Sequence, residues 1–397
     1  MRHAFVALAL ALPGVVFSYP LDGGGRTGIR RLEGYRLHLK LPPGALLNVA
    51  DVRLRLKGVP FDIDGSVRKD DALQAGLERI FAARNPSYSV ALLDITDPSK
   101  PRYAALRETD KRIPGSVGKL LVATGLFDAL RRRFPDDTGA ARERYLRETV
   151  LTADRFVYTD GKTVPTFEPG ATRVVNKRVE AGDRYNLYEW LDHMLSQSSN
   201  AAGSFVWKEA MLLGAGGGSD LLGKTPKAEL SRLALETLEA PLRAAGLDTG
   251  SLRLGTFFTR NASAAIPGTG SYANPRELLR WLVRLEQGRL VDEWSSLELK
   301  RLMYFSRPRY RYASSPALAK AAVYFKSGSL FECVPEPGFS CGQYKGNKTN
   351  LMHSVAIVES GSKVYLVAMM SNVLKLNSAV EHQTIATEIE RLIQAGR

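Results

Sequence analysis

Ser116-Val117-Gly118-Lys119-Leu120-Leu121-Val122-Ala123-Thr124-Gly125-Leu126-Phe127 is apolar on every side beyond Lys119, so it predicts a helix of the interior. The run ends at Arg131-Arg132-Arg133, cations that suit the negative end of a helix dipole. Positions i and i+3 share a helix face, which puts the Lys119 amine beside the Ser116 hydroxyl. Desolvation by so apolar a helix lowers a lysine pKa toward that of a general base, and a serine beside such a base is a nucleophile. Ser-x-x-Lys arises readily by chance and occurs twice more. Ser66-Val67-Arg68-Lys69 lies in a charged linker and Ser360-Gly361-Ser362-Lys363 in a hairpin turn, where no amine would be buried. Taken alone, Ser116 and Lys119 also fit a capping serine with a snorkelling lysine, so other parts of the chain have to choose.

Two elements make that choice. Asn186, with Glu189 three residues on, predicts an N-cap, and Leu187, Trp190, Leu191, Met194 and Leu195 recur at helical spacing up to Ser196-Gln197-Ser198-Ser199-Asn200. A second helix starts at Ala201, so Ser198 and Asn200 occupy an interhelical turn from which a hydroxyl and a carboxamide can project into a cleft. The strand Ala321-Ala322-Val323-Tyr324-Phe325 then delivers Lys326-Ser327-Gly328-Ser329, an ammonium, a hydroxyl and a glycine that lets a substrate lie against the backbone.

The ordered set Ser-x-x-Lys, Ser-x-Asn and Lys-Ser/Thr-Gly, on a helix start, an interhelical turn and a strand, resembles the signature of class A β-lactamases and penicillin-binding proteins. The chain is similar to the penicillin-recognising serine hydrolase superfamily over about residues 70 to 395. Asn186 to Ala202 resembles the class A helix that leads into its Ser-Asp-Asn, and Ser271-Tyr272-Ala273-Asn274-Pro275-Arg276-Glu277-Leu278-Leu279 resembles the start of a later class A helix. The resemblance implies Ser116 as the acylated nucleophile, Lys119 as its base, Ser198 as a proton relay and Asn200 as a partner of Lys119 and the substrate amide. It implies Lys326, Ser327 and Gly328 as the seat of the substrate carboxylate, and the backbone N–H groups of Ser116 and Ser329 as the oxyanion hole. No cofactor and no metal are implied.

Departures narrow the chemistry. The family's Asp in the middle motif is Ser199 here, and its usual Thr is Ser327. From Pro241 to Arg276, where class A enzymes carry the deacylating Glu, the sole acidic residue is Asp248. Without a carboxylate to activate water a penicilloyl ester is expected to be long-lived, unless Lys119, Ser198 or another group substitutes. The expected activity is therefore that of a DD-peptidase-like or esterase-like acyl transferase on carboxylate-bearing peptide amides or esters. The alternatives are a β-lactamase with a substitute base and a non-catalytic cell-wall or β-lactam sensor.

The expected fold is α+β, class A β-lactamase-like, with an antiparallel sheet built from both chain ends and an inserted all-helical part. Sheet segments are read in residues 69–115 and 316–397, helices in 116–315. Leu73, Leu77, Ile80 and Phe81 behind Asp70 and Asp71 predict a helix, and Ser87 to Ile95, Tyr103 to Leu106, Ala321 to Ser327, Leu351 to Val358 and Lys363 to Ser371 predict strands. Alternation at Tyr35 to Leu41 and Val52 to Leu56 predicts a β-rich appendage over residues 19–68.

The whole chain of 397 residues is 44% hydrophobic, enough for a large core, with 55 Lys+Arg against 41 Asp+Glu, a net charge of +14 that favours an anionic cell-envelope polymer. Met1-Arg2-His3, the apolar run Ala4 to Phe17 and Ser18 read as a signal peptide over residues 1–18, hence an exported, periplasmic or secreted protein without a membrane span in its mature form. Export disfavours nucleic acid as partner. Cys333 and Cys341 are then expected to form a disulfide that pins a Pro/Gly loop. The insertion after Ser329, with Phe331 and Tyr344, either overhangs the cleft or is a plain surface loop. The five His residues lack zinc-like spacing, and His193 and His353 read as structural.

Overall fold

A computed structural model describes residues 22–38, 48–65, 67–306 and 309–396. The expected signal peptide, and Leu39 to Leu41 of the first alternating run, lie outside the described residues. Strands Ser89–Asp94 (β1), Arg102–Leu106 (β2), Ala322–Glu332 (β3), Thr349–Ser360 (β4) and Lys363–Asn372 (β5) form one antiparallel sheet in the order β2-β1-β5-β4-β3. Both ends of the chain therefore supply the sheet, as the run of predicted strands implies.

The strands read as near-continuous apolar runs because helices cover both faces. Every residue of β1 is buried. On one face Ala91, Leu93, Val355, Ile357 and Leu366 join the core of the helical part with Leu120, Leu121 and Phe127. On the other, Val90, Leu92, Val358 and Val367 pack on helices Asp71–Phe81 and Ser378–Ala395 through Leu73, Leu77, Ile385 and Ile389. The first of these helices starts where its acidic residues predict, with the Asp70 carboxylate accepting from Leu73 N.

The helical part is built around Lys119–Arg133, against which Asn200–Gly214 and Lys227–Ala244 pack. The stretch between Asp154 and Asp183, irregular by sequence, carries a short ladder of Thr163–Thr166 with Val175–Arg178.

The N-terminal segment corrects the sequence reading: Gly23–Thr27 and Arg30–His38 are helical, and Val52 to Leu56 pairs with no strand. Its backbone partners are helix ends. Leu56 N donates to Glu286 O at 3.0 Å, Arg55 N to a Glu286 carboxylate oxygen at 2.7 Å, and Arg53 O accepts from Lys300 at 2.6 Å. With those groups satisfied by the helical part, no ladder is needed. Ile29, just before the second of these helices, and Leu32, in its first turn, enter the same core.

Candidate active site

Gly115–Gly118 is a 3-10 turn that leads into the Lys119–Arg133 helix, so Ser116 stands at a helix entrance and Lys119 in its first turn. Gly328 of β3 lies directly against that entrance. A Cβ there would stand 2.6 Å from Pro114 O and 3.2 Å from Ser116 N, so only glycine lets the strand approach so closely. The same closeness brings the Ser329 backbone beside Gly115.

The Lys119 amine is fully buried and donates to Ser116 Oγ at 3.0 Å, Asn200 Oδ1 at 2.7 Å and Ser198 O at 2.9 Å. None of these acceptors is a carboxylate. The Phe258 ring, from the loop in which the family's Glu was sought, packs over the amine with its centroid 4.5 Å away. Burial therefore dominates and holds the Lys119 pKa well below the ordinary lysine range. The positive charges of Lys162 and Lys326 push the same way, and Asp160 opposes them.

The Ser196 to Asn200 turn is set by two caps. Asn186 and Glu189 form a capping box at the start of Leu187–Leu195, and Ser199 caps the next helix by accepting from Ala202 N. Between them Ser198 takes a left-handed backbone, φ 58°, a conformation that costs a non-glycine residue about 1 kcal/mol or more. The turn puts Ser198 Oγ 3.0 Å from Lys326 Nζ and 3.5 Å from Lys119 Nζ, one hydroxyl between two buried amines. Lys326 is also pushed well below its usual pKa, by burial and then by Lys162 and Arg311.

The residues singled out by sequence thus converge. Ser116, Lys119, Ser198, Asn200 and Lys326 are joined by direct hydrogen bonds, and Ser327 Oγ donates to His353 O at 2.8 Å across the β3–β4 pair. His353 and His193 are both buried, and burial lowers each pKa to about 4, which suits neutral structural roles.

Four further residues belong to the site and escaped the sequence reading. Arg311, held at φ 55° between the rings of Tyr310 and Tyr344, donates to Ser327 Oγ and, at 2.9 Å, to Ser329 Oγ. Asp160 replaces the carboxylate that Ser199 lacks: its Oδ2 accepts from Ser199 Oγ at 2.9 Å, Asn200 N at 2.6 Å and Ala201 N at 2.8 Å. Lys162 donates to the same Ser198 carbonyl as Lys119, at 2.7 Å. Phe258 is the fourth. None sits in a periodic segment, and the one available signal was the missing Asp at 199, which asks for a carboxylate from elsewhere.

These elements enclose a cleft of about 470 Å³ whose walls include Ser116, Lys162, Ser198, Arg311, Ser329 and Tyr344. Tyr344 comes from the insertion after Ser329, so that insertion does border the cleft, and its Cys333–Cys341 disulfide is formed. Phe331 meets Tyr344 edge to face at 5.7 Å. Among the described residues there is no cluster suited to a metal ion and no helix long and apolar enough to cross a membrane.

No protein-family model matches the chain, and no curated protein is similar to it by sequence. Solved structures are similar. A class A β-lactamase from Bacteroides cellulosilyticus superposes with a TM-score of 0.55, at 12% identity, over 82% of this chain and 98% of its own. A β-lactamase from Chitinophaga pinensis gives 0.52 at 16% identity over 81% and 97%. An acyl-enzyme complex of a PBP-A mutant with penicillin G gives 0.53 at 12% identity over 82% and 98%. The chain therefore has the fold of the β-lactamase and penicillin-binding serine hydrolases, antiparallel sheet and helices together.

Proposed function

We propose that this chain is an exported serine hydrolase or acyltransferase that forms an ester at Ser116 with peptide amides or esters bearing a free carboxylate, in the manner of a DD-peptidase. The observation that carries the proposal is the Ser116 hydroxyl 3.0 Å from a fully buried amine with no carboxylate partner. Burial and neighbouring cations favour the neutral amine, and neutral Lys119 accepts the Ser116 proton. Ser116 Oγ then attacks the carbonyl carbon. The developing oxyanion lies at the helix entrance, beside the N–H groups of Ser116 and Ser329. Ser198 Oγ, between Lys119 and Lys326, passes the proton to the leaving nitrogen or oxygen as its bond to the acyl carbon breaks. Ser327 supplies a hydroxyl, and Arg311, bonded to it, supplies positive charge for the substrate carboxylate, with Lys326 beside Ser327 on the same strand.

Release of the acyl group needs water or an amine as acceptor. The Phe258 ring lies against Lys119, and no carboxylate bonds to that amine, so hydrolysis is slow and the ester persists. That favours a peptidase-like enzyme over a β-lactamase with rapid turnover. The test is intact-protein mass spectrometry after incubation with a penicillin. A persistent adduct that Ser116→Ala abolishes is expected. Rapid turnover dependent on Ser116 would replace the peptidase reading with a β-lactamase, and absence of both adduct and turnover would remove β-lactams and their peptide analogues as substrates.

A further inference from the structure

The cleft is unusual in its charge. Among the described residues its walls carry two cations, Lys162 on one side and Arg311 on the other, and no Asp or Glu. Among the described residues neither cation forms an ion pair. Lys162 shows one acceptor, Ser198 O, for an ammonium that has three donors. The residue is exposed, and its amine is bonded to the turn. Asp160, two residues away, does not neutralise it by contact: Oδ2 is taken by the three donors of the Ser199 turn, and Oδ1 accepts from the Lys162 backbone N–H at 3.1 Å. Burial is the main cause that lowers the Lys162 pKa; the Asp160 charge raises it, and Arg311 lowers it from across the cleft. Two like charges that face one cavity, with no carboxylate in its described walls, favour an anionic ligand.

The positions of the two charges are not equivalent. Arg311 is bonded to Ser327 and Ser329, at the end of the cleft assigned to the substrate's free carboxylate. Lys162 is bonded to Ser198 O, in the turn that presents Asn200, the residue that the resemblance sets against the substrate amide.

We infer that Lys162 is a binding residue for a second anion, carried on the acyl portion, so that the preferred acyl donors are dianionic: a carboxylate on the leaving side, and a carboxylate or comparable anion on the acyl side chain. The inference rests on Ser116 being the acylated residue and adds the charge of the acyl group to that reading. It names no covalent step of its own.

The experiment compares two penicillins that differ in one group, benzylpenicillin and its α-carboxybenzyl counterpart, by the second-order rate of adduct formation in intact-protein mass spectra at low salt. In the unmodified protein the carboxylated reagent is expected to react about tenfold faster, the worth of one charge-assisted hydrogen bond. In Lys162→Gln the ratio of the two rates falls to about one, whatever happens to their common rate, whereas Lys162→Arg keeps the preference. A general effect of Lys162 on Lys119 or on folding would change both rates together and leave the ratio alone. Raising the salt concentration shrinks the ratio in the unmodified protein, a readout that needs no variant. Equal rates in the unmodified protein, or a preference that survives Lys162→Gln, would overturn the inference and leave the Ser116 reading standing. Failure of both reagents to form an adduct would overturn the Ser116 reading and this inference with it.

Discussion

Two fully buried lysines, Lys119 and Lys300, are held in opposite ways. Lys300 lies 2.6 Å from Glu286 and 2.8 Å from Glu359, donates to Arg53 O and sits over the Tyr324 ring. It is an internal ion pair that ties the N-terminal segment to the sheet. Lys119 meets only neutral oxygens and a phenyl ring. Lys326, two residues beyond Tyr324 on β3, is likewise without a carboxylate. Burial is the same at all three, so the difference lies in the counter-ion. Where a carboxylate is supplied the lysine is structural. Where it is withheld, the amine is left able to lose its proton, which is the property a base needs.

The contrast is open to direct attack. Lys119→Met is expected to slow acylation of Ser116 by about a thousandfold, the scale of a lost general base, while costing no more than about 1 kcal/mol of unfolding free energy, because no buried charge is left unpaired. Paired measurements of adduct formation and urea unfolding decide it. A stability loss comparable to that of Lys300→Met would make Lys119 a structural cation. Lys300→Met is expected to lose about 3–5 kcal/mol in the same unfolding experiment, since it strands the buried Glu286 carboxylate and leaves Glu359 with Arg55 alone, with acylation by the folded protein altered only a few-fold.

Asp160→Asn sharpens the comparison at the turn. It removes the charge to which Ser199 Oγ, Asn200 N and Ala201 N all donate. A cost of about 1–2 kcal/mol in stability and about tenfold in acylation is expected, since Ser198 and Asn200 lose their positioning while Ser116 and Lys119 stay paired. Unchanged acylation would show that Ser199 alone sets the turn.

How much of this the sequence shows depends on the range of each signal. Ser116 with Lys119, and Asn186 with Glu189, are three residues apart on helices, so their spacing reveals their partnership. The Lys326 strand is legible as an apolar run because helices cover both faces of the sheet. Arg311, Lys162, Asp160 and Phe258 reach the site from loops or a short 3-10 turn whose partners lie tens of residues or more away along the chain, and no periodicity marks them. The segment at 35 to 38 misleads for a related reason. The alternation read at 35 to 41, of which 35 to 38 are described, and at 52 to 56 fits a strand or a helix edge, and at 53 to 56 the backbone is satisfied by Glu286 and Lys300, far along the chain.

The smallest expected effect is the most specific. Because burial and the charges of Lys162 and Lys326 depress the Lys119 pKa, acylation should rise with pH along a limb that lies below the ordinary lysine range. Lys162→Gln removes a positive charge bonded to the same carbonyl, so Lys119 keeps its proton to higher pH and the limb moves upward, less far than if burial itself were relieved. Stability carries the same sign. Between the depressed folded pKa and the ordinary value of about 10.4 the unfolded chain binds more protons than the folded one, so the folded state gains stability as pH rises through that window and loses it as pH falls. Lys119→Met removes one of the two buried amines responsible and should flatten the dependence. Acylation profiles of the unmodified protein and Lys162→Gln, with urea unfolding from neutral to alkaline pH for Lys119→Met, check both. A limb that stays in place in Lys162→Gln would assign it to another group, and an unchanged stability slope in Lys119→Met would mean that Lys119 is protonated in the folded protein after all.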